Sequence, residues 1–450
     1  MQDIVVNFQK SAGKIKPMHA VNNGPVYKFN PDQRVTNMPA YKAAGIPYAR
    51  THDASFFATY GGEHTVDVMA IFPDFDADAE NPASYDFLLT DEYLKVIEEA
   101  GTKVFYRLGH KIEHAPKKYG TLPPKDFKKW AVICEHIIRH YTEGWADGFH
   151  MDIEYWEIWN EPDQNSDDTP PHKKLCWGGT KAQFFDFYEI AAKHLKGCFP
   201  HLKIGGPAFC WDMDWLRDFL RDMAERGVPM DFFSWHIYSN NPSLNVTLAE
   251  TMRALLDENG YTETESILDE WNYVRGWGGD DWLYSIKTDK SLKGAAYIAS
   301  VMSLCQYAPV DMLMYYDARP CAMNGMFCTD WVCECLKGYY PFPMFNTLYT
   351  LGEAAEVKAD APAYVCAAQK DGEAAIMLTY YKEEDDSAPV DFRLNIEGFN
   401  GKGDVTAEYF LLDETHDLVP VRREVFSGHA FSSYLTLTLN SSYLIRLTRS

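Results

Sequence analysis

Short apolar runs alternate along most of the chain with longer segments in which apolar residues recur at helical spacing. Runs of this kind predict strands, and the longer segments predict amphipathic helices. The predicted strands are Met18–Asn22, Pro47–Thr51, Lys103–Leu108, Glu154–Asn160, Lys203–Gly205, Phe232–Ile237, Ser266–Asp269 and Asp311–Tyr316. The predicted helices are Asp32–Ala44, Asp91–Ala100, Lys125–Tyr141, Lys181–Gly197, Met213–Arg226, Leu248–Asn259, Lys290–Tyr307 and one after Pro343. Eight such alternations predict an α/β fold, a (β/α)8 barrel over residues 17–353.

The helical rhythm stops after about Glu353, and period-2 runs separated by turn residues take its place. The predicted strands there are Ala363–Gln369, Ala374–Tyr381, Val390–Asn395, Thr406–Leu412 and Tyr434–Leu447. This pattern predicts a β-sandwich over residues 354–450. Residues 1–16 contain one further strand, Ile4–Phe8, which lies outside the barrel pattern.

Two of the predicted barrel strands end in a carboxylate beside Trp and Asn. The run Tyr155–Trp159 stops at Asn160, Glu161 and Pro162, and the run from Ser266 stops at Asp269-Glu270-Trp271-Asn272. Barrel enzymes keep their chemistry at the carboxyl ends of the strands. Two carboxylates placed there are the minimum set for hydrolysis of a glycosidic bond. The long loop predicted after the second strand, Ser55–Thr90, lies on the same face and is expected to be functional.

Four stretches carry a family resemblance, and they occur in the family's order: Tyr48–Asp53, Trp156–Asp163, Phe232–Tyr238 and Asp269–Asn272. Together they resemble glycoside hydrolase family 39, the β-xylosidase and α-L-iduronidase family within a clan of retaining TIM-barrel glycosidases. The sequence departs from the family pattern at two places, and these differences bear on which sugar is bound more than on the reaction. Asp269 stands where the family usually has Thr or Ser, and the stretch after His52 differs from the common pattern.

The resemblance implies roles for five residues. Glu161 corresponds to the general acid/base and Glu270 to the nucleophile. Arg50 corresponds to the arginine that holds the nucleophile, Asn160 to the residue that hydrogen-bonds the sugar 2-hydroxyl, and Tyr238 to the tyrosine that donates to the nucleophile. It also implies that the strand in residues 1–16 pairs with the β-sandwich.

Strand alternation adds further expectations for the site. His236 and Tyr238 lie two apart, so both point into the barrel mouth. Asp269 points away from the side that Glu270 faces, and the mid-strand Glu157 is a buried, hydrogen-bonded group.

Several polar and aromatic residues near strand ends are expected either to contact the substrate or to support the loops. His52, Asp53 and His110 lie just past strands two and three, where they either contact sugar or support the loops. Trp177 and Trp277, in Gly-rich loops, are stacking platforms or loop anchors, and the first interpretation is favoured for Trp177.

The balance of charge limits the possible partners. A formal net charge of −23 argues against nucleic acid, anionic membranes and polyanionic substrates, and favours a small neutral carbohydrate. Residues 1–20 contain no apolar signal segment and no apolar run is long enough to cross a membrane, so a cytoplasmic protein is expected. The 10 cysteines are then expected to be mostly reduced. A homo-oligomer is possible on this sequence.

Cys321, Cys328, Cys333 and Cys335 lie close together but lack the paired Cys-x2-Cys spacing of a zinc knuckle. We therefore expect neither a metal nor another cofactor. The hypothesis from sequence is a retaining exo-glycosidase acting on a β-linked neutral glycoside, with β-xylosidase the favoured activity. The alternatives are a glycosidase for an arabinoside, galactoside, glucoside or uronide, a non-catalytic carbohydrate-binding barrel, and a zinc protein organised by the cysteines.

Overall fold

The computed structural model describes residues 2–26, 36–54, 64–329 and 333–449. Parts of the predicted helix from Asp32 and of the predicted loop from Ser55 lie outside these ranges.

The central element is a closed barrel of eight parallel strands, β2 to β9, in which β2 pairs with both β3 and β9. A preceding strand, β1 (Gln2–Lys14), lies outside it. The barrel strands are β2 (Ala20–Asn22), β3 (Tyr48–Arg50), β4 (Lys103–Leu108), β5 (Tyr155–Ile158), β6 (Lys203–Phe209), β7 (Phe232–Tyr238), β8 (Glu265–Asn272) and β9 (Met312–Tyr315). Most barrel strand residues are buried, because side chains fill the interior and helices cover the outside. The predicted barrel is confirmed.

Helices follow the strands in the order that the periodicity predicts. They are α1 (Met38–Ala43), α2 (Val68–Ile71), α3 (Leu88–Glu99), α4 (Phe127–Thr142), α5 (Lys181–Cys198), α6 (Met213–Glu225), α7 (Pro242–Glu258), α8 (Gly279–Asp289), α9 (Leu292–Cys305) and α10 (Pro341–Leu351). Side-chain caps fix several starts: Asp126 accepts hydrogen bonds from two backbone N–H groups of α4, and Thr180 and Gln183 form a capping box on α5. No helix in the described part of the chain has the length and apolarity needed to cross a membrane.

The helix predicted at Lys290–Tyr307 is α9, and the sequence analysis missed the helix before it. A separate helix, α8, precedes α9, and Lys290 and Ser291 separate them. Nearly every residue of α9 is buried, because the helix lies between the barrel and the C-terminal sheet. Its apolar residues therefore surround the helix instead of following one stripe.

The C-terminal residues and β1 form one nine-stranded sheet. Its other strands are β10 (Glu353–Lys358), β11 (Ala363–Lys370), β12 (Glu373–Tyr380), β13 (Val390–Glu397), β14 (Val405–Leu412), β15 (Asp417–Phe426), β16 (Phe431–Leu437) and β17 (Ser442–Arg449). The order is β15-β14-β17-β12-β11-β10-β1-β13-β16, so β1 lies between β10 and β13. The predicted strand Tyr434–Leu447 is two strands, β16 and β17. The sequence also missed β10 and β15.

The two ends of this sheet are in contact with each other. The hydroxyl of Tyr409 on β14 donates to Oγ of Ser433 on β16 at 2.8 Å, and Arg422 on β15 donates to the Tyr434 carbonyl on β16 at 2.8 Å. An apolar core lies between the facing strands. The other face of β11 and β12 packs on α9 and α10 and shares the barrel's core. The sheet thus supports the outside of the barrel wall.

Candidate active site

The two motif glutamates meet at the carboxyl end of the barrel. Glu161 follows β5 and Glu270 lies near the end of β8; both are buried. Nδ1 of His236, on β7, lies 2.9 Å from Oε1 of Glu161 and 3.6 Å from Oε2 of Glu270. One oxygen of each glutamate and a ring nitrogen of His236 all lie within 4.8 Å of one another.

A tight backbone turn directs Glu161 into this site. Trp159 and Glu161 have φ of 76° and 45°, in the left-handed region that non-glycine residues rarely adopt, and Ala208 beside them has φ of 56°. The Glu161 N–H donates to the Ala208 carbonyl at 2.9 Å, which joins the turn to the end of β6. Such backbone strain concentrates at functional sites.

Arg50, at the end of β3, is fully buried and joins carboxylates of two other strands, β5 and β8. It donates to Oε2 of Glu157 at 2.7 Å, to Oε1 of Glu270 at 2.8 Å and to Oδ1 of Asn160 at 2.8 Å. Its Nε also lies 3.0 Å from Oδ2 of Asp269. Burial alone would lower the pKa of Arg50, but these carboxylates raise it, so the guanidinium stays charged.

Each oxygen of Glu270 has its own donor. Arg50 donates to Oε1, and the Tyr238 hydroxyl donates to Oε2 at 2.7 Å. His52 lies at the same carboxylate, with its Nε2 3.8 Å from Oε1. Burial raises the pKa of Glu270 and Glu161 adds to the increase, while His236 and Arg50 oppose it. The residue is thus an acceptor-only carboxylate when ionised, held in one orientation.

Glu161 and His236 form a close pair, with Nδ1 of His236 2.9 Å from Oε1 of Glu161. Burial would lower the pKa of His236, but Glu270, Asp269 and the hydrogen bond to Glu161 raise it well above its usual value. Burial would likewise raise the pKa of Glu161, but the hydrogen bond and charge of His236 lower it to about 2. Both shifts favour a proton on His236, whose Nδ1 is within hydrogen-bond distance of the Glu161 carboxylate.

The expectation that Asp269 points away from the site is wrong. The pairing of β7 with β8 matches Trp235 with Leu268 and His236 with Glu270, so Asp269 is an extra residue in the register. A bulge of this kind lets two successive side chains face the same side. Asp269 is fully buried and reaches Nε2 of His236 at 3.4 Å as well as Arg50.

Glu157 and Asn160 complete the floor of the site. Glu157 accepts from Arg50 and, at 2.6 Å, from the hydroxyl of Ser234, and burial raises its pKa well above the usual value. This is the buried, hydrogen-bonded group expected from its mid-strand position. Nδ2 of Asn160 is buried and has no hydrogen-bond partner among the described residues, so one of its donors is unused there.

Of the other candidate substrate contacts, only some line the cavity that contains both glutamates. His52 lines the cavity that contains both glutamates, and Asp53 lies behind it, 3.1 Å from the Tyr316 hydroxyl and 3.0 Å from Arg319. His110 is buried between Asp67 and Glu113, at 3.0 and 3.3 Å, and lines neighbouring depressions instead of this cavity. Its placement supports the loop role that the sequence left open.

Trp177 does not fit the favoured interpretation as a sugar platform. Only 3% of it is exposed, its ring packs edge-on against Trp159 and Phe184, and its indole N–H donates to the Thr180 carbonyl at 2.9 Å. Trp277 instead is 61% exposed and lines the cavity. Trp177 packs among the aromatic side chains of α5, and the loop sequence alone does not show this.

The cavity has a volume of about 910 Å³. Its lining includes residues that the sequence analysis did not single out: Gln164, Trp211, Trp282 and Tyr316. Tyr316 had a usable signal, since it ends the last predicted barrel strand. Gln164 had none, although its Nε2 donates to Oε2 of Glu161 at 3.1 Å.

Three groups in the described part of the chain have the side chains and spacing to hold a metal ion: Glu161, His236 and Glu270; His64, Asp67 and His110; and Glu135, His194 and Cys198. The four clustered cysteines form no such group among the described residues. In the first group the positive charge of Arg50 already lies 2.8 Å from Glu270.

Comparison with known proteins places the chain among glycosidases. The family model "Glycosyl hydrolases family 39" matches residues 14–272. A β-xylosidase from Geobacillus stearothermophilus is 30% identical over 196 residues, 39% of this chain and 34% of that protein. A β-xylosidase from Caldicellulosiruptor saccharolyticus is 26% identical over 274 residues, 57% of this chain and 51% of that protein. The matches thus span about a third and about half of these relatives.

A solved structure shares the whole fold. The crystal structure of a glucosidase from Croceicoccus marinus covers 100% of this chain and 99% of its own, with a TM-score of 0.79 and 21% sequence identity. The family match extends over more than half of the chain and includes every motif on which the resemblance rested, from Arg50 to Asn272. The chain belongs to glycosyl hydrolases family 39.

Proposed function

We propose that this protein is a retaining exo-glycosidase that hydrolyses a β-linked neutral glycoside, most closely a β-xyloside, by double displacement. Glu270 is the nucleophile and Glu161 the general acid/base. The observation that carries the proposal is the closeness of these two carboxylates in one cavity. Their nearest described oxygens lie within 4.8 Å. Retaining enzymes separate the two carboxyl groups by about 5–5.5 Å, whereas inverting enzymes need about 6.5–9.5 Å to admit a water molecule.

In the first step an oxygen of Glu270 attacks the anomeric carbon as the bond to the leaving group breaks. Arg50 and Tyr238 hold this carboxylate, so little reorientation is needed. The leaving oxygen takes a proton from Glu161, which receives it from Nδ1 of His236. The Nδ2 group of Asn160, which lacks a hydrogen-bond partner in the described part of the protein, donates to a sugar hydroxyl.

In the second step water attacks the glycosyl-enzyme ester and gives its proton to Glu161, and Glu270 leaves as a carboxylate. In the free enzyme the negative charge of Glu270 raises the pKa of His236. Ester formation removes this charge. The proton affinity of the His236–Glu161 pair therefore falls once the intermediate forms. This keeps Glu161 ionised and able to act as the base.

The β-xyloside preference rests on the named activities of two of the sequence relatives, which are both β-xylosidases. The structural neighbour named as a glucosidase makes a β-glucoside the main competing substrate. The chain's net charge of −23 supports a neutral sugar over a uronide.

A panel of 4-nitrophenyl glycosides tests the proposal, with β-D-xyloside, β-D-glucoside, β-D-galactoside, α-L-arabinoside and β-D-glucuronide compared by kcat/KM. We expect the β-xyloside to be the best substrate. Glu270→Ala should remove essentially all turnover because the covalent intermediate cannot form. Added azide should then restore product formation with inverted anomeric configuration. Substantial unaided turnover by Glu270→Ala, or no hydrolysis of any glycoside by the unmodified protein, would contradict the proposal.

A further inference from the structure

The cavity is much larger than one sugar ring requires. Its volume of about 910 Å³ is at the upper end of the range for pockets that hold drug-sized ligands. His52 and Tyr238 line the part of the cavity next to Glu270, where the sugar with the reacting carbon is bound. The rest of the cavity must therefore receive the other half of the substrate, the leaving group.

The position of the acid identifies the wall that faces this leaving group. Glu161 protonates the leaving oxygen, so the leaving group lies on the Glu161 side of the cavity and the nucleophile Glu270 on the other side. The second oxygen of Glu161 lies 3.1 Å from Nε2 of Gln164 and 3.7 Å from Sγ of Cys176. The same Gln164 nitrogen lies 3.9 Å from Sγ of Cys210. The wall next to the acid is therefore the loop that follows β6.

This loop presents a tryptophan to the cavity. Trp211 is 63% exposed, although Trp215 on the next helix turn is buried. The loop is fixed in place, because the buried carboxylate of Asp163 accepts hydrogen bonds from the N–H groups of Cys210, Trp211 and Asp212 at 2.9, 2.7 and 2.9 Å. The backbone of Trp211 is thus fixed beside the cavity that its side chain lines.

The neighbours of Trp211 in the cavity are also apolar. Leu175, Phe209 and Met213 line the same cavity. A second sugar at this position would need hydrogen-bond partners for several hydroxyls. On this wall Gln164 already donates to Glu161, and the four apolar side chains add only the indole N–H of Trp211. An apolar leaving group has no hydrogen bonds to lose on contact with this surface, and burial of its apolar area is favourable.

We propose that Leu175, Phe209, Trp211 and Met213 form an aglycone surface that binds an apolar, ring-containing leaving group in preference to a second sugar. The proposal rests on the function assigned above, and it narrows the substrate class from xylosides in general to glycosides of apolar alcohols or phenols. The bond cleaved and the fate of the proton are those of the two steps already described.

The test compares benzyl and methyl β-D-xylosides, or the same pair on the sugar that the glycoside panel selects. Benzyl alcohol and methanol have similar acidity, so the two substrates make similar demands on the acid and differ in the ring. We expect kcat/KM for the benzyl glycoside to exceed that for the methyl glycoside by roughly tenfold, the effect of burying one aromatic ring over part of its area. It should also exceed kcat/KM for xylobiose.

Single substitutions test which residue causes the preference for the benzyl glycoside. Trp211→Ala should lower kcat/KM for the benzyl glycoside by roughly tenfold and leave the methyl glycoside nearly unchanged. Trp277→Ala is the matched comparison, because this tryptophan is equally exposed but contacts Tyr238, on the nucleophile side. It should affect both glycosides alike. Tyr434→Ala, which removes an exposed aromatic ring on β16, should change neither.

The outcomes separate the two proposals. If the glycosides are hydrolysed with a benzyl-to-methyl ratio near one, or Trp211→Ala slows both equally, the aglycone surface is wrong while the glycosidase assignment stands. The aglycone surface is also wrong if xylobiose is the best substrate, or if only Trp277→Ala lowers the benzyl-to-methyl ratio. If no glycoside is hydrolysed at all, the proposed function itself fails.

Discussion

Replacing Asp269 by Asn tests how the site controls its acid. The carboxylate of Asp269 lies 3.4 Å from Nε2 of His236, whose other nitrogen donates to Glu161. The Asp269 charge is one of the causes that raise the pKa of His236. Asn has the same shape and no charge, so the substitution removes the electrostatic effect and leaves the packing intact.

The size of the effect follows from the contacts. An opposite charge within about 4–6 Å shifts a pKa by about 1–3 units. Arg50, 3.0 Å from the same carboxylate, offsets part of the field of Asp269, so we expect a shift of about 1–2 units. The direction is downward, because the charge that favours protonated His236 is lost. The proton on His236 then dissociates at lower pH.

The assay is kcat/KM against pH with an unactivated glycoside, whose poor leaving group makes protonation matter. The basic limb of the profile should move down by about 1–2 pH units in Asp269→Asn. The acidic limb should move much less, because Glu270 keeps its donors Arg50 and Tyr238. Asp311→Asn, at the amino-terminal end of the barrel, is the control and should leave both limbs in place. A basic limb that stays fixed or moves upward refutes the reasoning.

Three further predictions concern the acid, the metal question and the core. Glu161→Ala should lower turnover of a disaccharide by roughly 10²–10⁴ and spare the first step on activated aryl glycosides; equal slowing across leaving groups of graded pKa would shift the assignment to Glu157. Chelator treatment should leave kcat/KM unchanged, and a stoichiometric metal whose removal abolishes turnover would contradict this. Trp177→Ala should lower the free energy of unfolding by about 3–5 kcal/mol, as for large buried aromatics, whereas Trp277→Ala should change the thermal midpoint little.

Periodicity predicted the barrel because its strands are short, buried and bounded by turn residues. The strand β4 has the same limits in the sequence and in the structure, Lys103–Leu108. Strand β15 was missed for the opposite reason. It lies at the sheet edge, most of its residues are exposed, and charged side chains such as Arg422 and Arg423 follow one another without an apolar alternation. Edge strands carry such charges to avoid further pairing, which removes the signal that identifies a strand.

The site was predictable where a motif fixes both residue type and strand end, as at Glu161 and Glu270. It was not predictable where tertiary packing decides. Trp177 and Trp277 stand in similar Gly-rich loops, and only the aromatic side chains of α5, among them Phe184, determine that Trp177 is buried. Trp211 likewise depends on the three hydrogen bonds from its loop to Asp163, a contact between loops that sequence spacing does not show.

The bulge at Asp269 shows why one unpredicted residue matters for the chemistry. The basic side chains of Arg50 and His236 lie among four acidic ones, Glu157, Glu161, Asp269 and Glu270. The bulge adds Asp269 to this group, so acidic side chains outnumber basic ones in it. The transition state of glycoside hydrolysis develops positive charge on the sugar ring. Oriented carboxylates stabilise that charge more than they stabilise the neutral substrate, which is the condition for a faster chemical step.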